Sequence, residues 1–139
     1  MFRQYRDIFD RLESVGTEVQ KITIDRERLI ESFDQSLGGL RLSMRLRKRS
    51  GGLLAWRNIA VRGNKQRDYD LLHYQNDLER LPQTVKAKLL QFEKKRILFN
   101  LNFSLLQHES KQLNHALNKI ESNTSNLESI DSRKTHDFF

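Results

Sequence analysis

Between Leu40 and Arg67 the chain carries nine basic side chains and no acid: Arg41, Arg45, Arg47, Lys48, Arg49, Arg57, Arg62, Lys65 and Arg67. The whole chain is only +7, so the remaining residues are net acidic and the basicity is local. Clustered cations without acids suit a polyanion, because each phosphate they neutralise releases counterions and favours binding. Most of these cations are arginine, whose planar fork takes a phosphate or a guanine edge through two hydrogen bonds. We therefore read Arg41, Arg45, Arg47, Lys48, Arg49, Arg57, Arg62 and Lys65 as candidate nucleic-acid contacts, with DNA the favoured ligand. Trp56 joins this set as a stacking platform, against the commoner fate of a tryptophan in a core.

Two other readings compete with this one. The arginines can pair with acids of the same chain, such as Asp7, Asp10, Glu13, Glu27, Glu31 and Asp34, or they can dock an acidic protein partner.

Catalytic chemistry has little to work with. Cysteine is absent, which removes a thiol nucleophile, a thiolate metal site and a disulfide framework together. His108 and His115 share a helical face but stand about 10 Å apart along the axis, too far to ligate one metal ion easily. The pairs Gly38-Gly39 and Gly51-Gly52 lack the spacing of a phosphate loop. Aspartates and glutamates are scattered at helix-surface spacings among lysines and arginines. The reading is of a non-enzymatic protein without metal or cofactor.

The elements that must carry the cations follow from periodicity. Charged residues make up 31% of 139 positions, which favours long helices with one narrow apolar stripe over a thick globule. Tyr5, Ile8, Leu12, Val15, Val19, Ile22, Leu29 and Phe33 fall three and four apart, a heptad seam with Arg26 in its one polar slot. This predicts a helix over 2–37, ended at Gly38-Gly39 by backbone in the left-handed region. From Leu40 the period drops to two, with Leu40, Leu42, Met44 and Leu46 alternating with Arg41, Ser43, Arg45 and Arg47. Ser50-Gly51-Gly52 is turn chemistry, and Leu53 to Val61 is rich in β formers, so 40–62 reads as a β-hairpin resting on helix. A short helix is expected over 68–81, after which Pro82 suits the first turn of another.

That last helix repeats Val85, Phe92, Phe99, Leu106, Leu113, Ile120 and Leu127 every seven residues. A companion row runs Leu89, Arg96, Phe103, Ser110, Leu117 and Thr124. It is expected over 82–122, followed by a frayed tail, 123–139. The arginines that sit in seam positions, Arg26 and Arg96, would repel if apposed, so each should turn outward or meet an acid.

The fold expected is mostly α: a long antiparallel, coiled-coil-like helical hairpin with an inserted basic β-hairpin and a short helix, forming one elongated domain over 1–122. Phe2, Phe9, Leu90, Leu98 and Leu101 lie off the main seam, where a second copy or a helical protein partner would sit. No apolar run is long enough for a membrane span, and the amino terminus is unlike a signal peptide, so a cytoplasmic location is expected.

At GGLLAWRNIAVRGNKQRDY the segment resembles the arginine-tryptophan-arginine hairpins of small uncharacterised proteins of bacterial integrative and conjugative elements, some of them labelled integrase regulators. The resemblance covers residues 40–75 and implies a DNA-associated, regulatory role in a mobile genetic element. From charge and periodicity alone the reading is of a nucleic-acid-binding accessory protein, the alternative being a helical adaptor for an acidic protein partner.

Overall fold

A computed structural model describes residues 2–40, 42–47, 51–58 and 78–137. The described residues are mostly helical, with a small antiparallel hairpin between two helices: α1 (Tyr5–Leu37), β1 (Leu42–Leu46), β2 (Leu54–Asn58) and α2 (Gln83–Asp137). The expected helix over 68–81 lies outside the described residues except for its last four, which form a turn closed by Leu81 N donating to Leu78 O at 3.1 Å.

Each boundary has a local cause. Asp7, in the first turn of α1, accepts from the amides of Arg3 and Gln4 through Oδ2, satisfying donors that a helix start leaves open. Helix α1 ends before Gly38, though its backbone is not in the left-handed region expected there. The requirement is steric instead, since a Cβ on Gly38 would lie 2.2 Å from the Asp34 carbonyl oxygen. Pro82 opens α2 as expected, its carbonyl accepting from Lys86 N at 3.0 Å. The helix then runs past the expected end at residue 122 to Asp137.

Packing divides the chain into two units, Met1–Glu18 with Leu106–Phe139, and Val19–Leu105, where the sequence suggested one domain through residue 122. In the first, Ile8, Val15, Leu113 and Leu117 are buried. Tyr5 Oη donates to Glu121 at 2.8 Å, and Arg11 Nε lies 3.0 Å from both carboxylate oxygens of Glu109. The rising number on α1 against the falling number on α2 makes these segments antiparallel.

The second unit holds the aromatic core. Phe33, Leu37, Leu42, Met44, Leu54, Trp56, Leu89, Phe92, Phe99 and Phe103 form one buried cluster joining both helices and both strands. Phe33 packs edge-on against Trp56 and Phe92, with ring centroids 5.0 and 5.2 Å away. The hairpin that two isolated strands could not sustain in water is thus stabilised by helix packing. Its register pairs Leu42 with Asn58, Met44 with Trp56 and Leu46 with Leu54. Gly51 and Gly52, at φ 57° and 133°, supply the positive dihedrals of the turn region.

Candidate nucleic-acid interface

The hairpin presents Leu42, Met44, Leu54 and Trp56 to the helices, and strand alternation turns Ser43, Arg45, Ala55 and Arg57 the other way. Alternation is imperfect as a guide to exposure. Ser43 and Ala55 are buried although they point away from the helices, whereas Leu46, at the end of β1, is 42% exposed. Arg57 lies opposite Ser43, and its Nη2 donates to Leu46 O at 2.6 Å. Its side chain therefore extends across the outer face of the ribbon.

Arg45 contacts a carboxylate of its own chain. Its Nη1 lies 3.1 and 3.3 Å from the two Asp34 oxygens and 2.8 Å from Met44 O. Both partners remain 42% exposed, so this is a surface pair, contributing on the order of 0–1 kcal/mol. A pair that weak orients the guanidinium without removing it from competition for a phosphate. Arg47 is exposed beyond the end of β1, where its amide donates to Leu53 O at 2.7 Å. Arg41, Lys48, Arg49, Arg62 and Lys65 lie outside the described residues.

Trp56 is a correction. It is fully buried against Phe33, and its indole Nε1 donates to Glu93 Oε2, so no face is open to a base. An indole buries a large apolar area and needs only one acceptor, which is why the core claims it.

Sequence reasoning missed what holds the ribbon in place. Arg96, 4% exposed, donates from Nη1 to Leu54 O at 3.0 Å and from Nη2 to Glu93 Oε1 at 2.5 Å. Asn100 takes both backbone groups of Leu54, accepting from its amide at 2.8 Å and donating to its carbonyl at 2.9 Å, as a neighbouring strand would. Arg26 donates to the Gly52 carbonyl at 3.2 Å with its guanidinium 5.9 Å from the centre of the Phe103 ring. The two seam arginines are thus hairpin anchors. Arg96 meets an acid as expected, while Arg26 meets a carbonyl. A charge placed in a seam was the available signal; nothing marked Asn100.

Among the described residues no group of histidines and acids is arranged to hold a metal ion, and no helix is long and apolar enough to cross a membrane. No protein-family model, curated protein or solved structure matches this chain.

Proposed function

We propose that the chain is a non-enzymatic nucleic-acid-binding accessory or regulatory protein, with DNA its ligand, that grips phosphates through the arginine-rich hairpin. The observation that carries this reading is Arg45 and Arg47 at the tip-proximal end of a helix-braced ribbon, Arg47 exposed and Arg45 held by a surface ion pair and a bond to the Met44 carbonyl. They belong to a stretch of nine cations without an acid. A braced two-stranded ribbon is narrow enough for a major groove, and braced cations lose less entropy on binding than those of a free loop. Arg41, Lys48, Arg49, Arg62 and Lys65 join this set by charge, and Trp56 leaves it. A place in an integrative mobile element belongs to the same proposal, on the resemblance of residues 40–75.

Titration of labelled duplex, single-stranded DNA and RNA against salt tests the reading, with heparin as a generic polyanion. Log affinity should fall linearly with log salt. Replacing Arg41, Arg45 and Arg47 with glutamine should reduce that slope by about 2–3, close to one unit for each phosphate left without its cation. An unchanged slope takes the hairpin out of the site.

A second reading is favoured by the Arg45–Asp34 pair, because the ribbon there already accepts a carboxylate. In that case the chain is a helical adaptor for an acidic protein, and nucleic acid should bind no more tightly than heparin.

A further inference from the structure

Helix α2 is apolar on two sides. Leu89, Phe92, Phe99 and Phe103 are buried in the core, while Leu90, Ile97, Leu98, Leu101 and Leu105 are each 52–58% exposed. At about 100° per residue these five fall in one stripe, roughly opposite the buried row. Half-exposed leucines in that number present on the order of 500 Å² of apolar surface, the upper part of what monomers ordinarily show.

The chemistry of this stripe selects its cover. Exposed Lys94 lies within it, one turn from Leu90 and from Leu98, whereas Lys88 and Lys95 lie outside its edge, Lys95 with its ammonium 5.6 Å from the Phe92 ring centre. Glu93 is the one acid between residues 86 and 105, and it is consumed by Trp56 and Arg96. Laying the stripe on its own counterpart would give Lys94 no acid to meet. It fits an acidic surface containing some apolar area.

Such a surface exists in the same unit of the chain. Glu27 and Glu31, both exposed, stand one turn apart on α1 beside Ile24, which is 51% exposed. Glu27, Ile30, Glu31, Asp34 and Gln35 line an open groove of about 430 Å³. Neither glutamate has a cationic partner among the described residues, so both are available.

The geometry points to self-association in which the Leu90–Leu105 stripe of α2 in one copy docks on the Glu27–Glu31 face of α1 in a second copy. Leucines enter the open groove, and Lys94 meets Glu27 and Glu31. The two faces are different, so the contact is heterologous, and each copy carries both halves of it. Counting both sides, the buried surface is on the order of 1,000 Å², the low end for a specific interface, so the association is reversible and concentration-dependent.

The test is sedimentation velocity over a wide range of concentration at low and high salt. The wild-type chain should shift from monomer to larger species, less so in high salt. Lys94→Glu, or Glu27→Lys with Glu31→Lys, should each weaken association by about tenfold or more, through the like charges they juxtapose. Mixing the two charge-reversed chains should restore a complex, because the new acid of one meets the new lysines of the other. Leu101→Asp should weaken association without being rescued in this way. Circular dichroism of each variant shows that it remains folded, and duplex titration of the glutamate variants keeps the result separate from the nucleic-acid reading. A wild-type chain that stays monomeric throughout would falsify the inference. So would variants of Glu27 and Glu31 that associate normally, or charge-reversed chains that fail to combine, since the stripe would then need a different acidic partner.

Discussion

A methyl group at residue 52 has no space to occupy. A Cβ there would lie 2.6 Å from Arg26 Nη1 and 2.8 Å from Phe103 Cζ, and φ is 133°. Backbone of that kind costs an ordinary residue about 1–3 kcal/mol before any clash. Displacing Arg26 would also break its bond to the Gly52 carbonyl. Gly52→Ala should therefore lower stability by at least that amount in denaturant melts. Gly51→Asn should cost less, because φ 57° is a region asparagine tolerates and the space around Gly51 is open. Equal losses at the two positions would mean that hairpin docking does not depend on this close approach.

The docking of β2 on α2 rests on charge inside an apolar core. Arg96 and Glu93 side chains are 5% and 12% exposed, and both reach the strand, one through Leu54 O and the other through Trp56 Nε1. Removing one member of a buried pair strands the other, at a cost of about 3–5 kcal/mol, whereas replacing both with apolar residues of similar volume is far milder. Arg96→Met should thus unfold the protein at much lower denaturant than wild type, and Glu93→Leu with Arg96→Met should recover much of the loss. A double variant no better than the single one would show that the contacts to Leu54 and Trp56, not charge neutralisation, hold the hairpin. Both helices and the ribbon were legible because each declares its period: sevens in Phe92, Phe99 and Leu113, twos in Leu42 and Met44. The polar groups that hold the ribbon were not, since Glu93 and Asn100 carry no periodic mark and act only where the chain folds back upon them. Trp56 misled for a related reason: it precedes Arg57 in a stretch rich in cations, while its neighbours in space are Phe33 and Glu93.

The two packing units differ in what stabilises them. Residues 19–105 share a cluster containing Phe33, Trp56, Phe92, Phe99 and Phe103, while residues 1–18 and 106–139 bury only four large aliphatic side chains among the described residues and add polar bridges. The main bridge is Arg11 on Glu109, with both side chains about one-third exposed and Glu18 3.4 Å from Arg11 Nη1. Hydrogen bonding from Arg11 holds the Glu109 carboxyl below its ordinary value. A carboxyl whose pKa is lower folded than unfolded stabilises the fold above the unfolded value, and this contribution disappears as pH falls through the folded one. Glu109→Gln should therefore destabilise residues 5–18 and 106–137 near neutral pH, with the gap from wild type closing in the acid range. Amide exchange of the two chains, compared at each pH so that intrinsic rates cancel, reads this out by segment. Because apolar burial is thinner there, these segments should also exchange faster than 19–37 and 83–105 in the wild type. A gap between the chains that persists in acid would mean Glu109 acts through packing or a neutral hydrogen bond rather than through its charge.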